Sequence, residues 1–226
     1  MTATSTGAAP TGIDRDSLAS VVAADIPAGS FVNLGIGLPT KVSNHLAPGS
    51  GVMLHTENGM LGMGPEAVGD QVDPDLVNAG KVPVTEVPGA SYFHHADSFA
   101  MMRGGHLDIC VLGAYQVSAG GDLANWHTGA PDAVPAVGGA MDLALGAKQT
   151  FVMMDLLTRD GAAKLVRECT YPLTGLACVT RVYTDLAVFL VEDRGVVVRD
   201  VFGLAFDDLQ ALVDVPLIDG THQEVP

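Results

Sequence analysis

Short apolar runs, each stopped by turn residues, limit the fold of this chain more than any other feature. Residues 109–113 (ICVLG) and 151–154 (FVMM) are apolar throughout and too short for a helix. Runs of this kind suit strands covered on both faces, as in a parallel sheet. Two similar strands are read at 31–35 (FVNLG), which runs into the turn Gly35–Gly37, and at 52–56 (VMLHT). Asp14 and Asp16 are placed to cap a first helix carrying Leu18, Val21 and Val22. Pro39 suits the first turn of a second helix over 39–46. Beyond Tyr171 and Pro172, three β-rich runs at 178–183, 186–191 and 196–201 follow closely, with Asp193-Arg194-Gly195 as a turn between the last two. A short helix near 207–212 precedes a polar tail. The expectation is an α/β domain with an open, mostly parallel sheet flanked by helices and a more antiparallel C-terminal part. It occupies 14–218, between a loose tail at 1–13 and a second tail at 219–226.

Charge and hydropathy narrow the function. Apolar residues are 48% of the 226 and charged residues 16%, below the ~25% of an average soluble domain. Such a chain buries enough surface to fold. A net charge of −15 gives no basic excess for nucleic acid. No run of about 18 apolar residues offers a membrane span. The three cysteines, Cys110, Cys169 and Cys178, are far apart and form no C-x-x-C. They are expected to be buried small hydrophobes in a reducing cytoplasm. Residues 1–12 have neither the basic nor the apolar region of a secretion signal.

In open α/β sheets, ligands sit at the carboxyl ends of strands. Three loops qualify: 33–37 (NLGIG), 57–64 (ENGMLGMG) and 136–142 (AVGGAMD). None is a nucleotide or serine-hydrolase fingerprint. Residues 57–65 read as a glycine- and methionine-rich loop opened by Glu57, one of only six glutamates. A carboxylate there is either held by loop amides or serves as a general base or nucleophile. A nucleophile needs backbone amides to hold an oxyanion, and Gly59, Gly62, Gly64, Gly138 and Gly139 allow close backbone approach. His94, His95, Asp97 and His106 lack metal-ligand spacing, so no metal is expected. His55, Thr56 and His127 are polar groups near the same loops.

Several longer segments, in order, carry a resemblance: NLGIGLPT (33–40), ENGMLGMGP (57–65), NAGK (78–81), ADSFAMMRGGHLD (96–108), GDLANW (121–126) and GGAMDLALGAK (138–148). The chain resembles the beta subunits of class I 3-oxoacid CoA-transferases over about 14–218. The resemblance implies the CoA-transferase fold and ping-pong chemistry with Glu57 as nucleophile. It implies an oxyanion contact from the Gly138 amide and places Asn33 and Lys81 near substrate or CoA. The family's serine before the glutamate is Thr56 here, which keeps a hydroxyl. No permanent cofactor or metal is implied. CoA and succinyl-CoA enter as substrates. The implied partner is an alpha subunit in a heterodimer or heterotetramer, which supplies much of the CoA site and covers surplus apolar surface. The stretch 93–127, together with the HTGA at 127–130 that acetoacetate-using relatives tend to lack, looks most like the 3-oxoadipate enzymes. Succinyl-CoA:acetoacetate transfer is the alternative, followed by a non-catalytic CoA-ester-binding module or a sugar-phosphate isomerase. Arg103 is a candidate, on chemistry alone, for a dicarboxylate's second carboxylate.

Overall fold

A computed structural model describes residues 11–130 and 137–221. In chain order the elements are α1 (Arg15–Ala24), β1 (Phe31–Leu34), a 3-10 helix (Leu38–Asn44), β2 (Met53–Thr56), β3 (Met60–Glu66), β4 (Val84–Tyr92), α2 (His95–Arg103), β5 (Ile109–Gly113), β6 (Gln116–Ser118), β7 (Leu123–Ala124), α3 (Ala140–Gly146), β8 (Gln149–Met153), β9 (Leu165–Val166), β10 (Val179–Tyr183), β11 (Ala187–Glu192), β12 (Gly195–Val201), α4 (Phe206–Leu212) and β13 (Leu217–Asp219).

The main sheet has the order β13-β12-β11-β10-β8-β5-β1-β2-β3-β4. Its centre, β2-β1-β5-β8-β10, is parallel. The strands read as apolar runs alternate between two cores with a period of two. Ile109, Val111, Phe151 and Met153 face one core with Leu18, Val22, Val32 and Leu54. Cys110, Leu112, Val152 and Met154 face the other with Met102, Leu143 and Phe189. Both faces are therefore dry, which is why these strands carry no polar alternation.

Antiparallel pairing occurs toward both ends of the sheet, although the outermost pair, β12–β13, is parallel. At one end β10-β11-β12 is antiparallel, as expected of the C-terminal part. At the other, β2-β3-β4 is antiparallel as well, and here the reading of 57–65 as a loop is corrected. Only the turn after Thr56 is loop; Met60–Glu66 is a strand. Its glycines are there for close approach. A Cβ on Gly62 would lie 2.9 Å from Ala90 Cα, and one on Gly64 would lie 2.4 Å from Thr85 Oγ1. The register shifts between Leu61 and Met63, the signature of a bulge.

The helices largely follow the sequence. Asp14 caps α1, its carboxylate accepting from Ser17 N at 2.7 Å, and Leu18 and Val22 are buried. The second helix is wound as 3-10, because Thr40 Oγ1 donates to Gly37 O at 2.7 Å and Ser43 Oγ donates to Thr40 O at 2.8 Å. Such bonds three residues back compete with the α ladder. Residues 1–10 of the expected tail lie outside the described residues, while Ile13 N donates to Asp185 O at 2.8 Å. A separate three-stranded sheet, β7-β6-β9, lies beyond β5 and β8.

Phe151 on β8 is buried, with its ring 5.4 Å from that of Tyr183 and under the Arg181 guanidinium. Phe151→Ala is expected to lower unfolding free energy by about 3–5 kcal/mol in urea titration. A loss below about 1 kcal/mol would contradict a close-packed double core.

Candidate active site

The carboxyl ends of β1, β2, β5 and β8 open into one cavity of about 510 Å³. Gly35 and Ile36 enter it from β1, Glu57 from β2, Gly113, Ala114 and Tyr115 from β5, and Met154 and Asp155 from β8. Gly138 and Gly139, ahead of α3, close one side, and Asn78, Ala79 and Gly80 line another. Gly35 is a close-approach glycine: its N–H donates to Val111 O at 2.8 Å, and a Cβ would lie 3.0 Å from that same oxygen.

The turn carrying Glu57 is held from several directions. Thr56 Oγ1 accepts from Met60 N at 3.1 Å, and Thr56 O accepts from Gly59 N at 3.1 Å and from Ser98 Oγ at 2.9 Å. Asn58 Nδ2 donates to Val77 O at 2.9 Å. Gly59, at φ +111°, lets Phe93 N reach its carbonyl at 3.0 Å. The backbone is fixed, yet no hydrogen bond or ion pair from the described residues reaches the Glu57 carboxylate. That carboxylate abuts the backbone of Gly139, where a Cβ would lie 2.2 Å from Glu57 Oε2. A fixed backbone with an unclaimed carboxylate is the arrangement a nucleophile needs.

Beneath this turn lies a buried polar network that the sequence indicates only in part. Asn33 Nδ2 donates to His55 Nδ1 and to His55 O, both at 3.0 Å. Ser98 Oγ stands 2.9 Å from His55 Nε2 and spends its own proton on Thr56 O. Nδ1 is therefore an acceptor and Nε2 the donor, which assigns a neutral imidazole. Burial pushes the His55 pKa down to about 4. Asn33 is read from sequence as near substrate; it lines the cavity, but its amide is committed to His55. Ser98, inside α2, has no signal in sequence, because that helix lacks a clear apolar period.

The other expected residues separate. Gly138 lines the cavity at φ +53°, but it is Gly139 that meets the carboxylate. Lys81 is exposed, at φ +62°, in a turn built by Asn78 Oδ1, which accepts from Gly80 N and Val82 N; Gly80 rather than Lys81 lines the cavity. His94 caps α2, its Nδ1 accepting from Ala96 N, and His95 packs against Phe99. Among the described residues no cluster of three His, Cys, Asp or Glu side chains is arranged to hold a metal. All three cysteines are free. Only Cys110 is fully buried, with its thiol pushed up to about 12, and burial raises Cys169 and Cys178 to about 11. Arg103 pairs with Asp142 through Nε at 2.7 Å and Nη2 at 3.3 Å, on a side chain 64% exposed. Three charged cavity residues are additions to the sequence reading: Arg15, Asp155 and Lys164. Asp155 has a signal, since it directly follows the strand 151–154.

The His55 network makes stability depend on pH. The unfolded imidazole takes a proton near 6.5 and the folded one only near 4. Between those values unfolding takes up a proton, so stability falls as pH falls, by roughly 3 kcal/mol in total from this group. His55→Gln is expected to flatten the stability slope between pH 6.5 and 4 in urea titrations. An unchanged slope would contradict a buried neutral histidine.

Comparison with known proteins places the chain in a family. The coenzyme A transferase family pattern matches residues 15–198. The beta subunit of a 3-oxoadipate CoA-transferase from Pseudomonas putida is 61% identical over 91% of this chain and 97% of its own. The beta subunit of a succinyl-CoA:3-ketoacid coenzyme A transferase from Helicobacter pylori is 47% identical over 77% of this chain and 84% of its own. The crystal structure of an acyl-CoA transferase apoenzyme (YdiF) from Escherichia coli O157:H7 superposes with a TM-score of 0.71 at 18% identity; it covers 96% of this chain, which spans 43% of that longer one. With the family pattern over most of the chain and an unclaimed carboxylate at the mouth of the parallel sheet, the chain belongs to the coenzyme A transferase family.

Proposed function

We propose that this chain is the beta subunit of a CoA-transferase that moves CoA from succinyl-CoA to 3-oxoadipate, with Glu57 as the nucleophile. The observation that carries the reading is the unclaimed Glu57 carboxylate, held against Gly139 at the carboxyl end of β2. Glu57 attacks the thioester carbonyl, the C–S bond breaks, and CoA leaves as thiolate from an acyl–glutamyl anhydride. The thiolate attacks the glutamyl carbonyl carbon and expels succinate, leaving a glutamyl–CoA thioester. The 3-oxoadipate carboxylate then displaces thiolate to form a second anhydride. The thiolate attacks the carbonyl of that new acyl group, releasing 3-oxoadipyl-CoA and the free Glu57 carboxylate. Each bond broken is matched by one formed and the thioester free energy is kept, so the cycle calls for no ATP. Oxyanions form beside Gly138 and Gly139, whose backbone approaches the carboxylate without an intervening side chain.

The preference for 3-oxoadipate is supported by the higher identity to the relative named for it, 61% against 47%. The partner is an alpha subunit, in a heterodimer or heterotetramer. The charge of −15 supports this division of labour, because like charges repel the CoA phosphates. So does the exposure of the apolar side chains Ile36 (62%), which lines the cavity, and Leu145 (67%) on α3. The protein works in the cytoplasm, on CoA esters and small acids.

Co-expressed with an alpha subunit, the wild type is expected to prefer 3-oxoadipate over acetoacetate. A preference for acetoacetate would overturn the substrate and leave the chemistry. Glu57→Ala is expected to lose at least about a thousandfold in kcat; full activity would overturn the nucleophile. Gly139→Ala is a subtler probe. Gly139 has ordinary backbone geometry, so its new Cβ displaces the end of the Glu57 side chain and presses only lightly on the Phe99 ring, 3.3 Å away. Activity is expected to fall by about a hundredfold while the unfolding midpoint stays near wild type. Unimpaired activity would contradict the proposed position of the carboxylate.

A further inference from the structure

Among the described residues, one cation of the cavity has no direct partner. Arg15 is already engaged, its Nη2 2.9 Å from Asp155 Oδ2, and its side chain is 65% exposed. Lys164 is half-buried, and no hydrogen bond or ion pair from the described residues meets its ammonium. Its backbone is pinned on both sides: Lys164 N donates to Leu156 O and Lys164 O accepts from Val117 N, each at 2.9 Å. Burial lowers the lysine's pKa, and the fields of Asp155 and Asp185 pull it partly back. A half-buried ammonium facing a cavity attracts an anionic ligand more strongly than a solvated one does.

We propose that Lys164 is the specificity-determining residue that holds the second carboxylate of a dicarboxylic acid whose first carboxylate reacts at Glu57. The inference rests on the reading of Glu57 as nucleophile. Lys164 adjoins the segment that follows β8, while Glu57 follows β2, and β1 and β5 lie between. Three strand spacings are about 14 Å. A six-carbon diacid spans roughly 6 Å between its carboxyl carbons, from five C–C bonds of about 1.5 Å; the Glu57 and Lys164 side chains supply the rest. Charge follows the same order. Among the cavity-lining side chains Arg15 and Asp155 cancel, which leaves Lys164 as the cation facing the negative Glu57; Asp185, whose field also reaches Lys164, is not a lining residue and accepts from Leu156 N. Arg103, the cation expected from sequence, is exposed and bound to Asp142, and is not among the cavity-lining residues.

The test uses the complex with its alpha subunit, succinyl-CoA as donor, and two acceptors differing only at the far end: 3-oxoadipate and 3-oxohexanoate, in which a methyl replaces the second carboxylate. In a ping-pong reaction, kcat/KM for the acceptor reports the second half alone, so the donor's own carboxylate does not enter. Wild type is expected to favour the diacid. Lys164→Met is expected to lower kcat/KM for 3-oxoadipate by about ten- to a hundredfold, mainly through KM, and to leave 3-oxohexanoate within about twofold. Lys164→Arg is expected to keep much of the discrimination. Equal losses on both acids, an unchanged ratio, or a wild type without preference would overturn the proposal. A wild-type complex that transfers CoA to neither acid would instead overturn the reading of Glu57, and the proposal with it. If Lys164→Met prevents assembly, Lys164→Gln, with adipate and hexanoate compared as inhibitors, measures the same discrimination.

Discussion

Parallel strands covered on both faces present polar chemistry only at their ends. β5 and β8 spend most of their side chains on two dry cores, Val111 and Phe151 on one face, Leu112 and Val152 on the other. The backbone ladder consumes their amides. What is left is the row of loops at the carboxyl edge, where Gly35, Glu57, Gly113 and Asp155 converge on one cavity. The placement of the site follows from the packing of the sheet.

The same constraint explains what was legible in the sequence. Strands buried on both faces show as apolar runs, so β1, β2, β5 and β8 stood out, as did β10–β12. β3 did not, because Gly62 and Gly64 look like loop glycines until β4 is seen pressing on them. β4 is the edge strand of the main sheet with alternating exposure, and it tolerates Pro88 and Gly89 because, among the described residues, no further strand of that sheet lies beyond it. α3 begins among glycines that mask its start. Glu57 was legible as a carboxylate out of place after an apolar strand. The commitment of Asn33 to His55, the contact at Gly139 and the arrival of Lys164 beside β9 depend on residues far apart in sequence, and no local pattern encodes them.

Rigidity and charge are divided within the site. Thr56, Ser98 and the neutral His55 fix the turn from below, so the carboxylate is positioned without being neutralised. A hydrogen bond or ion pair on that carboxylate would lower its nucleophilicity, and the described residues provide none. The cations that enter the cavity stand at its far side, on α1 and beside β9. The acidic, apolar composition agrees with the proposed division of labour, in which a partner subunit would complete the CoA site.

The central claim is that Glu57 becomes covalently attached to CoA. Incubating the assembled enzyme with succinyl-CoA alone, without acceptor acid, stalls the cycle after its first half. Rapid quenching, proteolysis and mass spectrometry then read the peptide that carries Glu57. The expected product is a CoA thioester on that residue, absent in Glu57→Ala and discharged by added 3-oxoadipate. An active enzyme whose Glu57 peptide stays unmodified, or whose adduct sits on another residue, would contradict it.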